Sequence, residues 1–357
     1  MIRNEKSRRC TLQDIADRTG YTVNTVSRAL KNKSDISAAT REYIRQAADE
    51  MGYIRNQMAS SLRSGQTKTL GVIVGGMSNP YYGVMTDAIQ NVAAEYGYSL
   101  FIFCSRDQAE LELQVVETAI SRQVDGILLF PCRGSQRTIG RIKAAGVPYV
   151  LMARHLDSPE DDWVVCDEEE GAYLATKHLI EAGHARLGFL SSFDVVGSSE
   201  WRTRGFLRAL EEGGLPRERS LIACCSGDEE IRNQLTAWRE GGVTGVFVFC
   251  DMEAWTAVSV LQQQGLSIPD DLAIIGFDNI QGILPIPASI CSVGYDIPAM
   301  ARSGIELLRR RIHREELPAQ HITFRPYVVC RSSCGAKDHP QLPSNRHDAG
   351  CITDEML

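Results

Sequence analysis

The stretch Thr11 to Leu30 reads TLQDIADRTGYTVNTVSRAL, and its reading decides how the chain begins to fold. Ile15 and Ala16 lie on the apolar face of a short helix from about Leu12 to Arg18, Gly20 permits a sharp turn, and Thr22 is placed to cap a second helix. Val26 and Leu30 fall on the inward side of that second helix. Asn24 and Arg28 are four apart, so they share its outer face, with Val23 and Thr25 near its N-terminal end. Side chains at that end reach base edges when such a helix lies in the major groove of DNA. The pattern is that of a helix-turn-helix with an exposed recognition helix.

A third helix is predicted over Ala38 to Met51, capped by Ser37, with Ile44, Ala47, Ala48 and Met51 forming the stripe that closes a three-helix core. Gly52 ends it. Asn56 is placed to cap a short helical stretch through Arg63, and the polar run Ser64 to Thr69 reads as a linker. Charge separates this head from the rest of the chain. Residues 1–66 hold twelve Lys and Arg against seven Asp and Glu, a net +5, so the total of −7 leaves −12 for the remainder. A basic head on an acidic body directs only the head toward phosphate.

From Leu70 the texture changes. Apolar runs at Leu70 to Val74, Leu100 to Phe103, Gly126 to Phe130, Pro148 to Met152, Leu187 to Leu190, Val246 to Phe249 and Leu272 to Ile275 read as strands. Amphipathic segments alternate with them: Tyr82 to Tyr96, Ala109 to Arg122, Gly171 to Ala182, Arg202 to Glu212 and Met252 to Gln264. This is a parallel α/β rhythm with too many units for one small sheet, and two lobes hinged over a cleft accommodate it. The predicted organisation is a DNA-binding domain over 1–55, a hinge helix and linker over 56–68, a two-lobed effector and dimerisation domain over 69–335, and an unfolded tail over 336–357.

No apolar run approaches the roughly 20 residues that span a bilayer, and no apolar stretch follows the basic residues of MIRNEKSRRCT. The expected location is the cytoplasm. Eleven cysteines, an odd number scattered through apolar strands, read as reduced thiols. Cys330, Cys334, His339, His347 and Cys351 form a C-terminal set whose spacing matches no common zinc pattern, so neither a metal nor a cofactor is assigned. An enzyme is disfavoured as well. GVIVGGMSNP lacks the G-x-G-x-x-G spacing, no P-loop lysine motif occurs, and His178 and His184 have no nucleophile partner in sequence. A transport-type binding protein is disfavoured by the DNA-reading head and the missing export signal.

With these parts in this order, the chain resembles the lactose-repressor (LacI/GalR) family of transcription regulators over about residues 11–333. The resemblance rests on LQDIADRTGYTVNTVSRAL, YIRNQMASSLRSGQTKTLGVIV, SNPYYGVM, GAYLATKHLIEAGH, RTRGFLRAL and GLSIPDDLAIIGFDNI. It implies a homodimer whose paired recognition helices read a palindromic operator while hinge helices enter the minor groove between them. Leu62 falls on the family's wedging leucine, Ala59 on its small neighbour, and Arg63 follows where a basic residue reaches minor-groove edges; Asn56 is the hinge asparagine. Arg55 departs from the proline often found before that asparagine. Val23 and Asn24 occupy the two positions that vary between members and select the half-site. Valine touches a thymine methyl or excludes a polar edge, asparagine pairs with adenine, and Arg28 suits guanine. Thr22, Thr25 and Ser27 read as phosphate or capping residues that set register.

For the body, the resemblance is to periplasmic sugar-binding proteins, with a small effector between the lobes. Tyr81 and Tyr82 align with positions that wall the pocket, Arg202 with the arginine of R-x-x-G, and Asp278 with the aspartate of G-[FY]-D. A cation and a carboxylate facing across a cleft suit a polyhydroxylated ligand. Each residue also has a plainer reading: Arg202 in a surface pair with Glu200 or Asp194, Asp278 as a helix cap, the tyrosines as core aromatics. Ala153, Cys250 and Tyr295 replace the family's frequent aspartate, asparagine and glutamine, so the pocket has lost polar groups. The resulting expectation is a repressor controlled by a carbohydrate-like effector; a nucleobase-like effector and an activator are the alternatives. The dimer contact is expected on helices such as Tyr82 to Tyr96 and Met252 to Gln264, and the absence of leucine heptads after Cys334 disfavours a tetramer.

Overall fold

The computed structural model describes residues 10–54, 65–156, 158–192, 197–218, 221–225, 227–283, 289–336 and 351–353. The chain divides into two compact units, Met1–Thr67 and Lys68–Leu357. The first holds α1 (Leu12–Thr19), α2 (Val23–Leu30) and α3 (Ala38–Glu50). Each start is capped by a side chain. The Thr11 hydroxyl accepts from the Asp14 N–H while the Asp14 carboxylate accepts from the Thr11 N–H at 2.8 Å, a reciprocal capping box, and the hydroxyls of Thr22 and Ser37 accept from Thr25 and Thr40 N–H at 3.2 Å. Gly20 closes α1 at φ +74°, a conformation that costs a side-chain-bearing residue about 1 kcal/mol or more. Ile15, Val26, Ala29 and Ile44 are fully buried together, with Ala16 and Ala48 packed beside them. Leu30 and Met51, expected inside, lie half-buried at the edge of this core.

The second unit is α/β, with two sheets. The chain runs β1 (Thr69–Val74), α4 (Pro80–Glu95), β2 (Ser99–Cys104), α5 (Ala109–Ser121), β3 (Gly126–Leu129), α6 (Gln136–Ala145), β4 (Tyr149–Met152) and β5 (Trp163–Cys166) through the first lobe. It crosses to the second lobe for α7 (Glu168–Glu181), β6 (Leu187–Ser191), α8 (Ser198–Glu212), β7 (Ile222–Cys224), α9 (Gly227–Glu240), β8 (Gly245–Val248), α10 (Asp251–Gln263), β9 (Ala273–Phe277) and β10 (Cys291–Gly294). It returns with α11 (Ile297–Ile312) and β11 (His321–Phe324) to the first lobe, then ends in the second with β12 (Tyr327–Val329).

The first sheet has the order β11-β5-β4-β3-β1-β2, all parallel, and the second β12-β10-β9-β8-β6-β7, parallel except for β12. Residues 351–353 of the tail expected to be unfolded add an antiparallel edge strand to β11. Between β1 and β12 the chain crosses from lobe to lobe three times, at 166–168, 294–297 and 324–327. Phe189, Phe206 and Phe247 are fully buried in the second lobe, where the Phe189 and Phe247 rings stack at 4.7 Å. Helices α7 and α8 pack so closely at Gly205 that a Cβ there would strike the Glu169 carbonyl and the Tyr173 N–H. Among the described residues, no helix is long and apolar enough to cross a membrane.

Candidate nucleic-acid interface and ligand cleft

In the head, cap and core together fix which side of α2 faces out. Val26 and Ala29 are buried, so Val23, Asn24 and Arg28 are exposed on the opposite face and Thr25 and Ser27 are half-buried beside them. Thr22 spends its hydroxyl on the cap. Arg28 pairs with Asp35, and because both side chains are nearly half exposed the pair contributes little and leaves the guanidinium able to exchange partners. Tyr21, immediately before the cap, is also exposed and meets Tyr43 edge-on with ring centroids 6.4 Å apart. The sequence reading had not assigned it. Arg55, Asn56, Ala59, Leu62 and Arg63 lie outside the described residues.

In the body, Tyr81 and Tyr82 open α4 after Asn79, whose side chain accepts from the Tyr81 N–H at 3.0 Å, and their rings meet at 5.3 Å. Both are buried at the cleft. Burial pushes the Tyr82 hydroxyl up to about 12, against the pull of Arg154, whose Nη2 donates to it at 2.9 Å. Burial, followed by the Asp278 carboxyl, raises Tyr81 well above the ordinary tyrosine value. Arg154 also donates to Asp107 Oδ1 at 2.9 Å and to the Pro131 carbonyl. Although burial opposes its charge, Tyr82 and Asp107 outweigh that and raise its pKa. Arg154 is a polar lining residue that sequence reasoning missed. Its neighbour Ala153, noted in the sequence only as a lost aspartate, holds φ +62°.

Arg202 and Asp278 were expected to face each other across the cleft. They stand instead on the same lobe, Arg202 in α8 and Asp278 just after β9. Arg202 is 4 % exposed, and its guanidinium donates to Glu168 and to the Phe249 carbonyl and lies over the Phe249 and Phe277 rings at 4.3 and 3.6 Å. Burial works against its charge, but Glu168 and then Asp278 more than restore it. The surface pair with Glu200 is not formed, since Glu200 binds Arg204 at 2.7 Å.

Asp278 holds φ +99° and Asn279 φ +48°, a left-handed pair that costs of order 1–3 kcal/mol per residue and needs outside support. Asp251 supplies it: one carboxylate oxygen accepts from the Ile280 N–H at 2.8 Å, the other from the Ser292 hydroxyl at 2.6 Å, and that hydroxyl accepts from the Asn279 N–H. Asp278 caps no helix, because the short turn that follows has Asn279 at its N-cap without a side-chain bond. Burial raises the Asp278 carboxyl well above the carboxylate range, with Arg202 pulling the other way. Tyr295, on the second crossing, and Cys250 and Cys166 complete the buried surroundings; both thiols are pushed up by burial and stay protonated. At the rim, His155 stacks between Trp163 at 4.6 Å and Trp201 at 4.7 Å, bridging the lobes.

The cleft therefore carries two guanidinium–carboxylate pairs, Arg154–Asp107 on one lobe and Arg202–Glu168 on the other, with tyrosine faces and Asp278 between them. Such a constellation binds and orients a small polar molecule, and a three-helix head with an exposed second-helix face is the form of a DNA-binding regulator.

Comparison with known proteins fits both halves. Residues 11–56 match bacterial regulatory proteins of the lacI family, and residues 176–334 match a periplasmic binding protein-like domain. The chain thus joins a lacI-family DNA-binding domain to a periplasmic binding protein-like domain, the make-up of the lactose-repressor (LacI/GalR) regulators, and the relatives it matches are transcriptional repressors and regulators, not enzymes. It is similar to the HTH-type transcriptional repressor PurR of Aliivibrio salmonicida (strain LFI1238), 29% identical over 329 residues, covering 90% of this chain and 98% of that protein. It is equally similar to the HTH-type transcriptional regulator GalR of Escherichia coli (strain K12), 29% identical over 341 residues, covering 94% and 98%. Among solved structures, the complex of the transcriptional regulator CelR with cellobiose matches with a TM-score of 0.67 at 26% identity, covering 91% of this chain and 100% of that one.

Proposed function

We propose that the protein is a cytoplasmic repressor that binds a palindromic operator as a homodimer and is controlled by a sugar or sugar-derived effector held between its lobes. One observation carries the effector assignment: the cleft sets charged donor–acceptor pairs from both lobes beside tyrosine faces. Sugar hydroxyls accept charge-assisted bonds from the guanidinium groups and donate them to the carboxylates, and the rings cover the apolar face of a pyranose. Tyr81, Tyr82, Arg202 and Asp278 are the proposed contacts, joined by Arg154. The match to a cellobiose-bound regulator supports this reading.

A purine-like effector is the second reading, favoured by the aromatic lining and by the relatives named PurR. Calorimetric titration against panels of sugars and purine bases separates the two. Binding of a purine with no sugar response overturns the first.

On DNA, Val23, Asn24 and Arg28 are proposed to read base edges, and Thr22, Thr25 and Ser27 to set register on phosphates. Asn56, Ala59, Leu62 and Arg63 are proposed for the minor groove at the operator centre, where insertion of Leu62 occludes and bends the site. Support for a dimer comes from edge strand β2, where Phe101 and Ile102 are 44 % and 45 % exposed, an apolar edge that pairing would cover.

A further inference from the structure

We propose that His178, Cys291, Cys330 and Cys334 form a tetrahedral zinc site that fastens the last crossing segment to the second lobe. Their four ligand atoms all lie within 4.8 Å of one another. The His178 Nε2 is 3.2 Å from the Cys334 sulfur, and the Cys330 and Cys334 sulfurs are 3.6 Å apart. A zinc ion with sulfur ligands at about 2.3 Å requires tetrahedral edges of about 3.8 Å, so the cluster needs only small adjustments to close on the ion.

Three separate pieces of chain converge here. His178 belongs to the last turn of α7, Cys291 opens β10, Cys330 follows β12, and Cys334 ends the short turn Ser332–Cys334. Cys330 and Cys334 are separated by three residues, within the C-x₂₋₄-C range of paired zinc ligands, although the C-terminal set as a whole follows no common zinc pattern. Cys291 and Cys334 are fully buried and the other two ligands half-buried, so four protein ligands fill the coordination shell in the manner of a structural site. Three sulfurs and an imidazole select zinc over oxygen-seeking magnesium or calcium.

The surroundings already orient the ligands. The Arg331 N–H donates to the Cys291 sulfur at 3.0 Å, and the Cys291 N–H donates to the Ser333 hydroxyl, which in turn donates a hydrogen bond to the Ile274 carbonyl. A ring nitrogen of His184 lies 3.0 Å from the Cys334 carbonyl. On binding, each thiol releases its proton to solvent and its sulfur donates to the ion, with no change of oxidation state.

The position also has a consequence for the cleft. Arg331 lies between two of the ligands, and its side chain donates to Asn279 Oδ1 at 2.6 Å and to the Ile290 carbonyl at 2.7 Å. Asn279 follows Asp278 directly. A metal that holds residues 330–334 in place therefore also steadies the left-handed loop that presents Asp278.

The test is elemental analysis of the full chain, produced with zinc in the medium and purified under reducing conditions, alongside Cys334→Ser, His178→Gln and, as a control outside the cluster, Cys104→Ser. About one zinc per chain is expected in the unaltered protein and in Cys104→Ser, with marked loss in the other two. In the unaltered protein, exchange for cobalt should give thiolate-to-cobalt charge transfer and the visible bands of a tetrahedral ion, which requires no variant to fold. Substoichiometric zinc without those bands overturns the site, as do undiminished zinc in soluble Cys334→Ser and a disulfide among Cys291, Cys330 and Cys334 in the reduced preparation.

Discussion

Replacing Arg202 with methionine removes one charge from a pair that water hardly reaches. The side chain is 4 % exposed and Glu168 7 %, so the carboxylate left behind cannot recover its hydration. Breaking a buried pair by deleting one partner costs about 3–5 kcal/mol, because the remaining charge stays desolvated. Methionine keeps a polarizable chain between Phe249 and Phe277, so packing is largely retained and the loss is electrostatic. At roughly 2–4 °C per kcal/mol for a domain of a few hundred residues, Arg202→Met should lower the calorimetric melting temperature of the body by roughly 6 °C or more. Adding Glu168→Gln removes the stranded charge and should return at least about 1 kcal/mol, a coupling read from the double-mutant cycle. A single variant within about 1 kcal/mol of the parent, or a double variant whose cost equals the sum of the singles, would refute the buried-pair assignment.

Gly205→Ala should destabilise the second lobe by about 1–3 kcal/mol or prevent folding, because the new methyl meets backbone of α7 that cannot yield; thermal melting of soluble protein is the check. Burial raises both Asp251 and Glu253 to about 7, above their unfolded values. The unfolded state therefore releases these protons first, so their contribution to stability is complete below about pH 4 and lost as pH rises to about 7. Glu253→Gln should flatten part of that decline between pH 5 and 8, and an unchanged profile counts against a protonated Glu253. Asn24→Ala should cost about 1–3 kcal/mol of operator affinity and relax preference at one base pair per half-site, measured by competition with operator variants. Leu62→Ala should weaken operator binding while leaving effector affinity intact in titration; equal operator affinity in gel shift would discredit the wedge.

The head was legible because its signals are local. Caps, a turn glycine and the spacing of Ile15, Val26 and Ile44 are all read within one or two helical turns. In the body seven apolar runs were legible as strands, but Trp163–Cys166, Ile222–Cys224, Cys291–Gly294, His321–Phe324 and Tyr327–Val329 were not. Each is only three or four residues long, and at that length, as for Gly126–Leu129, Tyr149–Met152 and Gly245–Val248, a strand shows as an apolar run rather than as a periodicity. Helices Gln136–Ala145, Gly227–Glu240 and Ile297–Ile312 also went unassigned, the first two because their polar faces mask the apolar stripe.

Site legibility followed the same division. Family alignment found Tyr81, Tyr82, Arg202 and Asp278 but not their geometry, since which lobe a residue joins depends on the three crossings. Glu168, the true partner of Arg202, is 34 residues away and is one of three consecutive glutamates in the first turn of α7, nothing in the sequence setting it apart from the other two. The thiol cluster shows the limit most clearly: Cys330 and Cys334 were visible as a pair, yet among the described residues it is Cys291 and His178 that join them, while His339 and His347 lie outside the described residues.

The central proposal is that the head recognises a particular twofold duplex and that occupancy of the cleft in the second unit changes its grip. Fluorescence anisotropy of the full chain on a selected duplex, against random competitor at moderate salt and with each candidate effector added, measures both at once. A preference of at least about a thousandfold for the selected site, shifted by one small molecule, is the expected result. Equal affinity for selected and random duplex, whatever molecule is supplied, would contradict the account.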